Sequence, residues 1–443
     1  MSPDPPHLSV EYIPDHGDES FDVVHYSLGL GYKLIGNRLD GDAVLSCVAR
    51  TDTTAVNLDL AGLRVSKVVL DGSPVRWRHS GSRLRIPARL SAGEEFVLRV
   101  KYAGSPGVLK ARDLDDAGWE ELTDGVIVAA QPHGAPTWFP CNDRPSNKAT
   151  YAITMAAPSD YYVAMCGRLT DQRRRGSVME WTWEMSQPMA PYLATVQIGR
   201  YEARDLGSGV VVVAPPDLSG EGYDASFGQQ PAMMEYFESV FGTYPFDDYT
   251  VVVTDDPLEI PLESQSLSTF GRNFASSDWD AVRLVAHELA HQWFGNAVTL
   301  DDWKDIWLHE GFACYAEWLW SEESGRDSAA EQAAHHHDKL AGLDQDLVLA
   351  DPGPALMFDD RVYKRGALTL HALRTTVGDH DFFDILEQWV ERFGGGNAST
   401  ADFEALAAEI SGESLDALFD DWLRAAALPA LPPLPQPQGQ RLR

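Results

Sequence analysis

The chain has 443 residues, of which 44% are hydrophobic and 23% are charged, and it carries a formal net charge of −32. This composition is typical of a globular protein with two or three domains, and no apolar run is long enough to span a membrane. The excess of carboxylates argues against nucleic acid as a partner, because its phosphates would be repelled. The sequence leaves the oligomeric state open, and a monomer is slightly favoured.

The cysteines and the first residues indicate a cytoplasmic protein. Cys47, Cys141, Cys166 and Cys314 are widely spaced and form neither a C-x-x-C pair nor a disulfide-dense pattern. Such scattered cysteines fit reduced thiols. Residues 1–6 contain neither the basic nor the apolar segment of a signal peptide. We therefore expect the protein in the cytoplasm.

Alternating apolar residues predict a β domain over residues 1–204. Between Phe96 and Tyr102, every second side chain is apolar and would lie on one face of a strand. Residues 126–128 and 163–165 are interpreted as strands of the same kind, and turn residues such as Asp71-Gly72 separate the segments. The pattern favours a mostly antiparallel arrangement.

The pattern becomes mainly helical in residues 205–428, where we predict a second domain. Residues 233–241 are expected to form a helix and residues 250–254 a strand, and two apolar helices follow. Later helices are expected at residues 367–373, 382–393 and 415–423, and another begins near Thr400. Residues 429–443 are rich in proline and are expected to be an extended or disordered tail. The predicted fold class is therefore α+β with several domains.

Two histidines in the first of these apolar helices, His287 and His291, indicate a metal site. Residues four apart lie on one face of a helix, so both imidazoles can bind the same small cation. Glu288 follows the first histidine and is placed to act on a water molecule at that cation. The resulting H-E-x-x-H pattern is found in zinc peptidases, although the bare pattern also occurs in unrelated helices.

The surrounding residues supply the context that this motif needs. Asp278 is a candidate N-cap and Gly295 is expected to end the helix, which would place both histidines in mid-helix. Eighteen residues separate His291 from Glu310, which begins a second apolar helix and leaves room for a turn between the two. A catalytic zinc takes three protein ligands and keeps one position open. The predicted ligands are therefore His287, His291 and Glu310.

These motifs resemble the aminopeptidase N family of zinc metallopeptidases, which are called gluzincins because their third zinc ligand is a glutamate. The strongest match is H-E-L-A-H-Q-W-F-G-N followed by W-L-H-E-G-F-A. Further matches run from about His25 to Trp422 and include Gln131-Pro132, residues 138–145, Lys148-Ala149-Thr150-Tyr151, residues 189–193, Tyr244-Pro245-Phe246 and Tyr363-Lys364-Arg365-Gly366-Ala367. The family usually carries Glu-Lys where this chain has Lys364-Arg365.

The resemblance implies a fold, a cofactor and a mechanism. The implied fold is a saddle-like antiparallel β domain followed by a mainly helical, thermolysin-like domain with one Zn²⁺ per chain. The chain would be a short, bacterial-type form without the C-terminal helical-repeat domain of larger relatives, which would leave the cleft more open. Glu288 would be the general base, and Tyr363 would donate a hydrogen bond to the oxyanion.

One motif of the family is altered, which leaves the substrate preference open. Relatives usually carry Gly-Ala-Met-Glu-Asn before the zinc helix, whereas this chain has Ile260-Pro261-Leu262-Glu263-Ser264. The resemblance implies that Glu263 binds the α-amino group of the substrate, with Gln131 as a neutral second acceptor and Glu259 as a weaker rival. The residues that replace the glycines are expected to narrow or reshape the cleft.

Several of these residues have a purely structural alternative. Tyr363 also fits an amphipathic core position, and Gln131 fits a loop amide that satisfies nearby backbone groups. Glu317 either orients a metal ligand or is a solvated helix charge. Three consecutive histidines, at residues 335–337, cannot all face one cation from a helix, so we interpret them as a surface feature.

The resemblance predicts a zinc-dependent aminopeptidase that releases residues from peptides with a free N-terminus. The altered segment around Glu263 keeps an alternative open, which is an endopeptidase or another amide or epoxide hydrolase on the same scaffold. A non-catalytic interaction module with this fold is a third hypothesis. It is opposed by the presence of the residues that the chemistry needs, namely His287, Glu288, His291, Glu310 and Tyr363.

Overall fold

The computed structural model describes residues 12–111 and 114–433 of the chain. Within these ranges, no helix is both long and apolar enough to cross a membrane. Of the predicted proline-rich tail, residues 429–433 have no regular secondary structure, and residues 434–443 lie outside the described residues.

The first part of the described chain is built from strands, as the alternation of apolar residues predicts. In the strand Glu95–Gly104, Phe96 and every second residue up to Tyr102 are buried, whereas the residues between them are exposed. The sheet therefore buries one of its faces. Sixteen strands lie in this part of the described chain: β1 (Phe21–Lys33), β2 (Arg38–Ala49), β3 (Thr53–Asp59), β4 (Arg64–Leu70), β5 (Ser73–Pro74), β6 (Arg78–Ser80), β7 (Arg83–Leu90), β8 (Glu95–Gly104), β9 (Val108–Leu109), β10 (Ala117–Leu122), β11 (Gly125–Ala129), β12 (Ala149–Pro158), β13 (Tyr162–Met165), β14 (Arg168–Arg175), β15 (Val178–Met189) and β16 (Val196–Gly199).

These strands form three sheets. The largest has the order β14-β15-β12-β1-β2-β8-β4-β5, and the other two have the orders β3-β7-β6 and β13-β16-β11-β10-β9. In the largest sheet only β1 and β12 run parallel, with His25 opposite Thr150, so the predicted antiparallel character is confirmed. β11 and β13 do not alternate as predicted, because their sheet is covered on both faces and nearly all of their residues are buried.

A mixed sheet begins the second part of the chain. Its strands are β17 (Glu202–Gly207), β18 (Val210–Ala214), β19 (Tyr249–Thr254), β20 (Leu262–Ser264) and β21 (Leu267–Gly271). They have the order β17-β18-β19-β21-β20, which makes β20 an edge strand. The boundary predicted at residue 204 falls inside β17, which pairs with β18. The division into residues 1–204 and 205–428 therefore stays a prediction.

The remaining elements are mainly helices. Nine α-helices lie in the described ranges: α1 (Glu221–Ala225), α2 (Gln230–Phe241), α3 (Trp279–Ala290), α4 (Trp307–Glu323), α5 (Ala329–Ala341), α6 (Asp360–Val377), α7 (Asp379–Phe393), α8 (Thr400–Ser411) and α9 (Asp416–Phe419). A π-helical segment, Asp420–Arg424, follows α9, and two short strands, β22 (Thr299–Leu300) and β23 (Asn397–Ala398), pair in parallel. The predicted α+β class, with a β-rich part followed by a mainly helical part, is confirmed.

The helix α3, which carries the histidine pair, is shorter than predicted. Asp278 is its N-cap, but the α-helix ends at Ala290 and His291 is the C-cap residue, with φ −56° and ψ −23°. Gly295, at φ +126°, donates its N–H to the carbonyl of Val298 and so turns the chain away from the helix axis. His287 therefore lies in the last turn of α3 rather than in mid-helix, but His291 keeps helical angles and remains on the same face.

A half-buried lysine joins the two parts of the chain next to this helix. Lys148 immediately precedes β12, and its Nζ donates to the carbonyls of Asn296, Ala297 and Gly396 at 2.9, 2.9 and 3.2 Å. Burial lowers the pKa of Lys148 to about 7. The β-rich part is thus attached to the loop that directly follows α3.

Candidate metal centre and active site

The ends of α3 and α4 bring the three predicted ligands together. His287 and His291 extend from the C-terminal end of α3, and Glu310 lies in the first turn of α4. The Nε2 atoms of both histidines are 3.4 Å from Oε2 of Glu310, and none of the three side chains is more than 6% exposed. Their ligand atoms all lie within 4.8 Å of one another. Two nitrogens and one carboxylate oxygen therefore converge on a single buried point.

Hydrogen bonds on the opposite ring nitrogens hold both imidazoles in place. Nδ1 of His287 is 2.8 Å from Oε1 of Glu317, and Nδ1 of His291 is 3.0 Å from the carbonyl of Phe294. Each acceptor fixes the proton on Nδ1 and leaves Nε2 free to bind a cation. Glu317 also accepts from Arg283 at 3.1 Å. Of the two alternatives for Glu317, the contact with His287 is therefore the one present.

The neighbouring charges shift the pKa values of the ligands in opposite directions. Burial opposes ionisation of Glu310, but His291 and His287 hold its pKa well below the usual range. Burial also opposes protonation of His291, yet Glu310 and Glu263 raise the pKa of His291 to about 10. The neighbouring carboxylates therefore favour a positive charge between the two rings, which is the position that a divalent cation would occupy.

Glu288 is buried beside the ligands without a partner. It is 4% exposed, and its Oε2 atom has no hydrogen-bond partner among the described residues. Burial raises the pKa of Glu288 to about 8, against the opposing effect of His287. A carboxyl group whose pKa lies near neutrality is suited to accept a proton and then return it.

The edge strand β20 places Glu263 on the same side as Glu288. Carboxylate oxygens of Glu263 and Glu288 and a ring nitrogen of His291 lie within 4.8 Å of one another. Burial raises the pKa of Glu263, against the effect of His291. Ile260, which replaces a glycine of the resembled motif, is 63% exposed and precedes the strand. The side chain of Ile260 is therefore largely exposed to solvent.

Two glycines allow α6 to approach α4 closely enough to place Tyr363 at the site. A Cβ atom on Gly311 would lie 2.7 Å from the Cα atom of Gly366, so neither position has room for a side chain. Tyr363, three residues before Gly366, stacks on the ring of His287 with a centroid distance of 6.1 Å and an interplanar angle of 22°. Burial, Glu310 and Glu263 all raise the pKa of Tyr363, so its hydroxyl keeps its proton and remains a donor.

Gln131 and Glu259 are the other two candidates for binding an amino group. Gln131 follows β11, and its buried Nε2 atom has no hydrogen-bond partner among the described residues. Glu259 is exposed and makes no ion pair with any described residue of the cluster. Of the three candidates for binding an amino group, Glu263 is the one whose carboxylate lies within 4.8 Å of ligand atoms of Glu288 and His291. The role of Gln131 stays a prediction.

The structure adds two residues to which the sequence reasoning gave no role. Tyr192 is 4% exposed, its hydroxyl has no described partner, and burial, Glu263 and Glu310 raise its pKa well above the usual value. Gln292 is fully buried and contacts the strand that carries Glu263. Both lie within motifs quoted for the family resemblance, but their roles depend on contacts that spacing alone does not reveal.

The donor set fits zinc. Two imidazole nitrogens and one carboxylate oxygen form the three-ligand set of a catalytic zinc site, and both histidines have the second hydrogen bond that such ligands normally make. The unpartnered Oε2 atom of Glu288 lies close by without being one of the three ligands. His335, His336 and His337 belong to no such group among the described residues, and His336 instead stacks on Trp318.

Comparison with family models covers both parts of the chain. Residues 23–193 match the model of the peptidase M1 N-terminal domain, and residues 225–422 match that of the peptidase family M1 domain. Among curated proteins, the chain is 25% identical to glutamyl aminopeptidase of Sus scrofa and 24% identical to leucyl aminopeptidase of Saccharolobus solfataricus. These alignments cover 92% and 86% of this chain but 48% and 50% of the relatives, so the chain spans about half their length.

Solved structures described as having two domains match over nearly their whole length. The M1 zinc metallopeptidase of Deinococcus radiodurans is 33% identical with a TM-score of 0.86, and the match covers 96% of this chain and 99% of that one. A variant of that protein, solved with a Tyr-Ser-Ala substrate, is 32% identical with a TM-score of 0.86 and is covered to 98%. From its two matched domain models and this full-length structural match, the chain belongs to peptidase family M1, the zinc metallopeptidases that the sequence motifs resemble.

Proposed function

We propose that this protein is a zinc-dependent aminopeptidase that removes single residues from the free N-termini of peptides. The observation that carries the proposal is the convergence of two carboxyl groups on the metal ligands. Glu288 lies next to them as an unpartnered buried acid, and Glu263 lies beside it on an edge strand. One carboxylate suits proton transfer and the other suits an α-ammonium group.

Three side chains would share the chemistry around the cation. Zn²⁺ bound by His287, His291 and Glu310 would supply Lewis-acid chemistry, which polarises a carbonyl oxygen and makes water more acidic. Glu288 would take a proton from the attacking water and pass it to the leaving amine. Tyr363 would donate a hydrogen bond to the oxyanion formed when the scissile carbonyl is attacked.

Recognition of the substrate would rest on β20. As an edge strand it has one side free of strand partners among the described residues, along which a peptide can lie as an added strand. Glu263 would hold the α-ammonium group at the end of that peptide. This anchor fixes the scissile bond one residue from the N-terminus, which makes the enzyme an exopeptidase.

The experiment is a panel of aminoacyl fluorogenic substrates, assayed with zinc-loaded protein and again after chelation. We expect turnover that a chelator abolishes and added zinc restores. The variant Glu288→Gln, which keeps the size of the side chain, is expected to bind zinc normally and to lose turnover. Activity that survives both chelation and this substitution would refute the proposal.

N-acetylated versions of the same substrates separate an aminopeptidase from the alternative hydrolases on this scaffold. Because acetylation removes the charge that Glu263 would bind, we expect the acetylated compounds to be inert. Equal turnover of free and acetylated compounds would instead favour an endopeptidase or another amide hydrolase.

We also propose a monomeric protein in a reducing compartment, the cytoplasm. All four cysteines are buried and unpaired in the structure, which fits a reducing environment. Residues 1–204 and 205–428 are proposed as the two domains.

A further inference from the structure

The turn between β20 and β21 is held by three separate segments of the chain. It consists of Gln265 and Ser266 and follows Ser264, the last residue of β20, and Ser266 adopts a left-handed conformation at φ +60°. The hydroxyl of Ser266 accepts from the N–H of Gly167 at 2.8 Å, and the N–H of Gln265 donates to the carbonyl of Leu193 at 3.3 Å. Both of these partners belong to the β-rich part of the chain.

The third segment is the end of the metal-binding helix. Gln292 directly follows His291, is fully buried, and contacts both ends of the turn. Its Nε2 donates to the carbonyl of Ser264 at 3.2 Å, and its Oε1 accepts from the N–H of Ser266 at 2.7 Å. Asn296 donates from Nδ2 to the same Ser264 carbonyl, also at 3.2 Å. Gln292, the residue after His291, is thus hydrogen-bonded to Ser264, the residue after Glu263.

We infer that Gln292 is a positioning residue for substrate recognition, which holds β20 so that Glu263 faces the α-ammonium group at a fixed place relative to the metal ligands. This inference rests on the proposed aminopeptidase function and assigns a part of it to a residue that touches neither metal nor substrate. Glu263 lies on an edge strand of three residues, which has a strand partner on one side only within the part of the chain that the structure describes. Besides its pairing with β21, such a short strand is held by the contacts at its ends.

Loss of the Gln292 side-chain amide would weaken substrate binding rather than slow the chemical step. The three metal ligands and Glu288 are held by α3, α4 and their own hydrogen bonds. The Gln292 side chain takes part only through a long contact with the Glu288 carbonyl at 3.5 Å. Displacement of β20 would instead move Glu263 away from the amine. We therefore expect Gln292→Met, which keeps the length of the side chain, to raise KM for free-amine substrates tenfold or more and to change kcat by less than about threefold.

The decisive test is a double-mutant cycle with Glu263→Gln. If Gln292 acts through Glu263, Gln292→Met should raise KM in the native protein but by less than about twofold when Glu263 is already replaced. Binding is measured as well, by calorimetry with L-tryptophan and N-acetyl-L-tryptophan. Each single variant should lose the preference of the native protein for the ligand with a free amine. Zinc content should equal that of the native protein throughout. The control is Gln230→Met, a buried glutamine in α2, which should leave KM unchanged.

The outcomes separate this inference from the function on which it rests. An unchanged KM in Glu263→Gln alone would overturn the amine-binding role of Glu263 and the inference with it. A raised KM in Glu263→Gln but not in Gln292→Met, or equal effects of Gln292→Met in both backgrounds, would overturn the positioning role alone. Should Gln292→Met fold poorly, Gln292→Glu keeps the acceptor for Ser266 and replaces the donor to Ser264 with a carboxylate oxygen, and the same cycle applies to it.

Discussion

The metal centre and the amine-binding strand are built in different ways. All three ligands and Glu288 lie between residues 287 and 310, on two consecutive helices, so helical periodicity and one short connection bring them together. Glu263 depends instead on a turn held from Gly167, Leu193 and Gln292, which are far apart in the sequence. The residues for catalysis are therefore brought together by local sequence, whereas the residue for substrate recognition is placed by tertiary packing. We expect substitutions in the first group to lower kcat and those in the second to raise KM.

Removal of a metal ligand should have the largest effect. Glu310→Ala leaves two imidazoles to hold the cation, and we expect loss of bound zinc and of all turnover above background. Metal analysis after dialysis, together with the fluorogenic assay, measures both. Glu323→Ala, an exposed glutamate at the other end of α4, is the control and should retain both. Full zinc occupancy in Glu310→Ala would show that Glu310 is not a ligand.

Removal of the hydroxyl of Tyr363 should have the next largest effect and should act on kcat alone. Tyr363→Phe keeps the ring that stacks on His287 but removes the donor, and we expect kcat to fall about 10²–10³-fold. Steady-state kinetics should show a nearly unchanged KM. Tyr236→Phe, a tyrosine of α2 that is packed against the core, is the control and should be silent. A kcat within about twofold of the native value would mean that Tyr363 is a core residue without a catalytic role.

Neutralising the acceptor of His287 should have a moderate effect on metal binding. Glu317→Gln preserves size and one acceptor oxygen but removes the charge that faces Nδ1 of His287 and Arg283. We expect zinc affinity to fall about 10–100-fold, measured by competition with a chelator, whereas kcat at saturating zinc changes less. Unchanged affinity would mean that the hydrogen bond orients the ring without strengthening the ligand.

Disturbing the junction between the two parts of the chain should have the smallest effect on catalysis and should appear as reduced stability. Lys148→Met leaves three carbonyls without their donor, and we expect the free energy of unfolding to fall by about 1–3 kcal/mol. Burial lowers the pKa of Lys148 to about 7, below its value in the unfolded chain, so the unfolded state binds more protons above that pH. The native protein should therefore gain stability relative to the variant as pH rises from 7 toward 10. Chemical denaturation across this range measures it, and a difference that shrinks with rising pH would contradict the assignment.

The same division explains what the sequence could predict. The ligand set and Glu288 follow from spacing on helices, and the strand that begins near Phe96 follows from alternation. The early end of α3 at Ala290 was missed, because it depends on the bond from Gly295 to Val298. The two-sided burial of β11 was missed as well, because it depends on what covers the sheet. The alternatives for Glu317 could be separated only once its distance to His287 was known.

Recognition was harder to predict than chemistry for a related reason. Glu263 stands in an altered motif, and its place beside Glu288 depends on the turn that follows it. The bridging contacts of Gln292 leave no pattern in the sequence, since both of its partners are backbone groups. Gln131 makes no described contact with the cluster, so its role as a second amine acceptor stays a prediction.

The most direct test of the central claim is mass spectrometry of a mixture of short peptides, free and N-acetylated, incubated with zinc-loaded protein. If Glu263 anchors a free amine beside a metal centre served by Glu288, each free peptide should become shorter by one residue at a time from its N-terminus, and acetylated peptides should remain intact. Internal cleavage, or shortening of free and acetylated peptides alike, would contradict the account.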